Sequence, residues 1–273
     1  MISGRTIFVP LIGHPVAQVF TPPVVNDWFA NHGIDAVMVP LDVLPDRAAG
    51  FFQELRFWEN AGGCSVTVPH KRTAFLAMDE VTERAGQVQA VNIVRRTSDG
   101  RLLGDMTDGL AFVAALRANA VQLAGSRVLL VGAGGGAGAA IAMAIAGEQP
   151  AELTLFENDN GRREAIARAL RQACPMLRLS DELGNSGYDL VVNATPLGMR
   201  GDDPLPADVH WLRPGGTAAD VVTRPAETPF LLAARDAGMG IQTGADMARA
   251  QLPFQMQHLD LSAASAPASE QVQ

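Results

Sequence analysis

Residues 127–157 read RVLLVGAGGGAGAAIAMAIAGEQPAELTLFE. A short apolar run of β type, 128–131, breaks into glycines, passes into an alanine-rich stretch of helical length, and returns as a second apolar run, 153–156, that meets Glu157. Strand, glycines, helix, strand and acid in this order make a βαβ unit with a dinucleotide-binding fingerprint. Gly132 permits the tight turn, Gly134 lets the backbone approach a pyrophosphate, and Ala137 stands third, where a small residue lets helix and strand pack closely. Gly132, Ala133, Gly134, Gly135, Gly136 and Ala137 are therefore the candidate phosphate cradle, at the amide-rich start of the helix. Glu157, with Asn158 beside it, sits where a carboxylate accepts hydrogen bonds from a ribose 2′-hydroxyl. That placement favours NAD as cofactor, with NADP second.

The rest of the composition narrows the class. A chain of 273 residues, 48% apolar, with mean hydropathy +0.11, has room for two modest domains with buried cores. A net charge of −8 and the lack of any Lys/Arg run argue against a nucleic-acid partner. The two cysteines, Cys64 and Cys174, have no metal-ligand spacing, so neither a disulfide framework nor a metal site is indicated. No stretch approaches the ~20 apolar residues that span a bilayer. A cytoplasmic protein without membrane or nucleic-acid partners, acting on a small molecule as monomer or homodimer, is the expectation.

Upstream of the βαβ unit, runs of β type and helical patterns alternate over 6–12, 24–32, 36–41 and 48–59. A strand returning after each helix implies an α/β layer with substantial parallel pairing. GHPVAQVFTPP, 13–23, is a loop by its prolines and glycine, at a strand end where open α/β sheets place ligands. GGCSVTVPHK, 62–71, is another β-type run, halted by Pro69 and followed by His70 and Lys71. A further strand is read from 90, and DMTDG closes the first half at Gly109. Downstream, 162–173 and 228–238 read as helices and 190–193 and 218–222 as strands. A last helix, 245–259, is expected to bend or break at Pro253. The fold class is α/β: an N-terminal α/β domain over 1–109, a Rossmann-like domain over 110–240, a C-terminal helix over 241–261 and a disordered tail over 262–273.

Motifs spread along the chain carry a resemblance. They are Gly13-x-Pro15 with Thr21-Pro22, Val66-Thr67-Val68-Pro69-x-Lys71, Ala90-Val91-Asn92, and Asp105-x-Thr107-Asp108-Gly109. After the glycine-rich turn come Asn193-Ala194-Thr195-Pro196-Leu197-Gly198-Met199, Thr228-Pro229-x-Leu231 and Gly244-x-x-Met247-x-x-x-Gln251. In this order they resemble the shikimate dehydrogenase family, which includes quinate dehydrogenases. The resemblance implies a substrate domain completed by the last helix, a nucleotide-binding domain, and an active site in the groove separating them. It implies Lys71 and Asp108 as the catalytic pair. Thr67, Asn92, Asp108 and Gln251 are the implied binders of ring hydroxyls. Asn193, Ala194, Thr195, Val221, Gly244 and Met247 join the cofactor side.

The chemistry suits these residues. Oxidising a secondary alcohol by hydride transfer to a nicotinamide needs a group that accepts the hydroxyl proton, and Lys71 is the candidate. A carboxylate favours a neighbouring ammonium, so Asp108 is assigned to orient Lys71 and the substrate hydroxyl. Without the resemblance, Lys71 would read as a strand-end cover and Asp108 as a helix cap. In the substrate loop, the two serines that hold the family's substrate carboxylate align with Val19 and Thr21, and Gln18 replaces a histidine. Val19 cannot donate a hydrogen bond, so Gln18 is the alternative donor and shikimate is expected to be a poor or secondary substrate. Glu157-Asn158-Asp159 stand where NADP-preferring members carry Asn-Arg-Thr, which again points to NAD.

Overall fold

The computed structural model describes residues 2–184 and 187–261, so the tail expected over 262–273 lies outside the described part. The chain divides into two compact units, Met1–Met106 with the segment from Leu252 onward, and Thr107–Gln251.

The first unit contains β1 (Ile7–Gly13), α1 (Thr21–Asn31), β2 (Ala36–Asp42), α2 (Ala48–Leu55), β3 (Gly63–Val66) and α3 (Lys71–Ala77). These are followed by β4 (Glu80–Val81), α4 (Glu83–Val88), β5 (Ile93–Arg96) and β6 (Leu102–Asp105). Its sheet runs β2-β1-β3-β5-β6-β4. β1 pairs in parallel with β2 and β3, as the alternation implied, whereas β3, β5 and β6 pair antiparallel. Val9, Leu11, Val25, Phe29, Met38 and Ile93 form its apolar core.

The second unit contains α5 (Asp108–Ala118), β7 (Arg127–Val131), α6 (Gly136–Gly147), β8 (Glu152–Phe156), α7 (Asn160–Ala173), β9 (Leu179–Ser180) and β10 (Tyr188–Asn193). β11 (Leu212–Asp220), α8 (Pro229–Asp236), β12 (Gly240–Gln242) and α9 (Gly244–Leu259) follow, α9 passing into the first unit at Leu252. Its strands are parallel throughout and ordered β12-β11-β10-β7-β8-β9, the doubly wound order of a Rossmann sheet. Leu129, Val131, Tyr188, Val191, Ala218, Phe230 and Leu231 are its core on the α8 side. α5 and α6 touch through Gly109, where a Cβ would collide with Ala140 and Ala144.

The expected elements shift at their ends for local reasons. α1 starts at Thr21, inside the expected loop, because prolines are tolerated in a helix's first turn, where their missing N–H has no intrahelical acceptor. α2 ends at Leu55 rather than 59, and β5 starts at Ile93 rather than 90. β11 starts early, at Leu212, and its pairing to β10 shifts register between Tyr188 and Leu190. α9 continues through Pro253 unbroken. The proline costs one backbone bond, while Leu252, Met256 and Leu259 hold the second half of the helix against the first unit's core.

Candidate active site

In the first unit, backbone bonds draw the ends of several strands together. The Thr67 N–H donates to Ile12 (2.8 Å), the Val66 N–H to Asn92 (2.8 Å), the Asn92 N–H to Asp105 (2.9 Å) and the Val91 N–H to Lys71 (3.0 Å). Thr67, Lys71 and Asn92 therefore leave one edge of the sheet. Lys71 is half-buried as the first residue of α3, and Asn92 is buried. His70 is buried, its Nε2 lying 2.7 Å from the Val43 carbonyl, which anchors the turn that presents Lys71. Asp105 is held by Thr82, Arg84 and the Met106 N–H, fixing the end of β6.

The loop after β1 is partly committed to itself. Gln18 donates its Nε2 to the Pro15 carbonyl (2.8 Å), which uses one of the two amide hydrogens expected to serve a carboxylate. Val19 packs against the apolar core, and Thr21 opens α1, half-buried.

In the second unit, Asp108 is 3% exposed and accepts a hydrogen bond from Gln251 Nε2 at 2.7 Å. It does not cap a helix. Thr107 is the capping position and Asp108 the first residue of α5, where the helix dipole favours a carboxylate. The glycine-rich turn leaves β7 with Gly132 at φ +84°, which only glycine adopts at ease. Gly138 approaches Gly132 closely: a Cβ there would run into the Gly132 carbonyl. Gly135 is open: a Cβ there would find its nearest neighbour at 3.6 Å. Glu157 accepts from the Gly134 N–H (2.9 Å) and the Asp159 N–H (3.0 Å).

Beyond the turn, the Ala194 N–H donates to Val131 (2.8 Å) and the Val221 N–H to Asn193 (3.1 Å), so both loops leave the sheet beside Gly132. Gly244 presses so closely on Val221 and Val222 that a Cβ would meet their carbonyls, and Met247 is buried one turn later. The residue that sequence reasoning missed is Asp220, fully buried at the end of β11. Its only sequence signal is an acid inside an apolar run.

A family model described as the shikimate dehydrogenase substrate binding domain matches residues 11–94. A protein of Rhodospirillum rubrum named shikimate dehydrogenase (NADP(+)) is 40% identical over 257 residues, covering 90% of this chain and 89% of that protein. One of Rubrobacter xylanophilus with the same name is 39% identical, covering 89% and 87%. This chain belongs to the shikimate dehydrogenase family. Among solved structures, shikimate 5-dehydrogenase from Thermus thermophilus in complex with NADP(H) and shikimate superimposes with a TM-score of 0.82 at 28% identity, covering 95% of this chain and 97% of that one.

The family relatives overturn the expected preference for NAD. Both bacterial relatives are named for NADP(+). The acids at Glu157 and Asp159 and the missing arginine at 158 misled because charge was counted along the sequence. The turn into α7 sets two arginines near the end of β8, Arg162 ion-paired with Asp159 and Arg163 bonded to the Glu157 carbonyl. The Cβ of Arg162 lies 2.5 Å from the position a Cβ would take on Gly134, and Arg163 Nη1 donates to the Glu157 carbonyl at 3.5 Å. The Glu157 carboxylate, meanwhile, is occupied by two backbone amides.

Proposed function

We propose that this chain is an NADP-dependent dehydrogenase that reversibly oxidises a ring hydroxyl of shikimate or a closely related cyclic hydroxy acid. The observation that carries this reading is its likeness, along nine-tenths of its length, to relatives named shikimate dehydrogenase (NADP(+)). The first unit is the substrate-binding domain and the second the dinucleotide-binding domain. The glycine-rich turn fits a pyrophosphate: Gly132 bends the chain, Gly135 leaves space, and α6 presents its first amides to an anion. Arg162 and Arg163 supply charge for a 2′-phosphate.

NADP, when bound, supplies the hydride acceptor. Lys71 takes the proton from the reacting hydroxyl at its Nζ. Asp108, oriented by Gln251, accepts a hydrogen bond from a ring hydroxyl, and Thr67 and Asn92 hold further hydroxyls. Val19 brings no donor to the substrate loop, so the grip on a substrate carboxylate is weak and the KM for shikimate high. Both cysteines are free, which supports a reducing, cytoplasmic setting. No helix among the described residues is long and apolar enough to cross a membrane.

The test is the initial rate of reduced-cofactor formation with shikimate and quinate, each crossed with NADP and NAD. NADP is expected to be the better cofactor, and Lys71→Ala to lower kcat by about 10²- to 10⁴-fold, the usual worth of a general base. No turnover of either acid by a protein that binds NADP would refute the assignment.

A further inference from the structure

We propose that Asp220 is a positioning residue for the cofactor: its buried carboxylate holds the loops leaving β10 and β11 in the shape that receives NADP. This rests on the reading of the glycine-rich turn as the cofactor site.

The parallel register sets Val131, Asn193 and Asp220 in one row, each the last residue of its strand, with the glycine-rich turn and two loops leaving directly above. In open parallel sheets this edge is where ligands bind. Asp220 is 0% exposed and all of its hydrogen bonds are accepted from neutral donors. Asn193 Nδ2 donates to both of its oxygens (3.1 Å each), the Val222 N–H to Oδ1 (2.8 Å) and Thr228 Oγ1 to Oδ2 (2.8 Å). Each donor belongs to a different segment: the end of β10, the loop after β11, and the start of α8.

The constraint passes onward to the loop beside the glycines. Asn193, held by Asp220, donates to the Leu197 carbonyl (2.9 Å) and accepts from the Thr195 N–H (3.0 Å) and hydroxyl (2.6 Å). Thr195 in turn packs on Gly132, where a Cβ would stand 2.6 Å from its methyl. Thr228 caps α8 and sits 3.0 Å from where Gly198 would carry a Cβ. Losing the acceptor at Asp220 thus loosens 194–199 and 221–228 together, while Lys71 and the Asp108–Gln251 pair are untouched.

An acid in this position is costly, and a structure needing only shape could have used an amide. Burial pushes the Asp220 carboxyl up to about 6, against the opposing pull of the Val222, Thr228 and Asn193 donors. No cation contributes. β12 carries no titratable group, the ionisable residues of β10, Tyr188 and Asp189, lie at its opposite end, Thr228 meets Asp220 from the N-cap of α8, and that helix's ionisable residues, Arg235, engaged by Glu227, and Asp236, lie in its last turn. At neutral pH the carboxylate accepts from every donor; protonated, one oxygen must donate instead, and of its partners only the Thr228 hydroxyl can turn to accept, giving up its own donation.

The test compares wild type with Asp220→Asn, Thr228→Val and Thr228→Ser, by steady-state kinetics with the faster acid and by calorimetric titration with NADP from pH 5 to 8. Asp220→Asn is expected to raise KM and Kd for NADP about tenfold, with kcat within about threefold and the acid's KM unchanged. Thr228→Val should raise them about threefold, and Thr228→Ser, which keeps the hydroxyl, should match wild type. The 2′-phosphate titrates in both proteins, so the difference between wild type and Asp220→Asn is the readout, and it should shrink below pH 6. Unchanged NADP binding in Asp220→Asn, or a loss of kcat and both KM values in parallel with thermal stability, overturns the positioning role. If Asp220→Asn does not fold, wild-type NADP affinity in Thr228→Val overturns it. Wild type that binds no NADP overturns the cofactor reading itself.

Discussion

At Asp220, function and stability pull in opposite directions. An aspartate whose carboxyl rises from 3.8 to about 6 on burial disfavours the ionised fold by about 3 kcal/mol at neutral pH. The sign follows from the raised value: this group's contribution is most favourable below its ordinary value and declines as pH rises towards 6. Denaturant unfolding of wild type and Asp220→Asn at pH 4 and pH 7 should therefore show the variant gaining roughly 2 kcal/mol relative to wild type at the higher pH. An equal difference at both would mean that the carboxyl is not so shifted. Asp220 was not legible from sequence because its partners Asn193 and Thr228 reach it only through the β10–β11 register and the turn into α8. Glu157 misled for a local reason: its carboxylate is taken by the Gly134 and Asp159 amides, while Arg163, six residues on, reaches its carbonyl across the turn into α7.

Among elements, the β7–α6 unit was the most legible, since strand, turn and helix are contiguous and their signals local. What local reading did not single out was Gly138, whose close approach to Gly132 follows from how α6 sits on the turn, which spacing does not specify. Gly138→Ala would drive a Cβ into the Gly132 carbonyl, a backbone atom that cannot rotate away. We expect it to cost about 3 kcal/mol, lower Tm by roughly 10 °C and weaken NADP binding. Gly147→Ala, in the last turn of the same helix with nothing within 4 Å, should instead be neutral or stabilise by about 0.5–1 kcal/mol. Equal effects from the two would contradict the packing described. Pro253 teaches the converse lesson, that a strong local breaker yields when the residues around it are held by a core.

Across the whole molecule, α9 is the element whose role exceeds its sequence signal. Gln251 belongs to the second unit, where it holds Asp108, and the helix from Leu252 onward belongs to the first. There Met256 and Leu259 are buried in the core, while His258 Nε2 lies 2.9 Å from the Leu103 carbonyl. Leu259→Ala should cost about 2–5 kcal/mol, as for other buried leucines. Ending the chain at Gln251 should make Met1–Met106 the first region cut in limited proteolysis, with the second unit still protected. Early cleavage in the second unit would show that this division of α9 is wrong.

The sequence by itself determined the α/β class, the βαβ unit and the family, because each rests on short-range periodicity or on motifs a few residues long. Tertiary structure alone decided which charges face the end of β8, that α9 survives its proline, and that a buried aspartate ties two loops together. The first depends on the turn into α7, and the other two on strand register and helix packing that join residues tens of positions apart; none leaves a periodic trace in the chain.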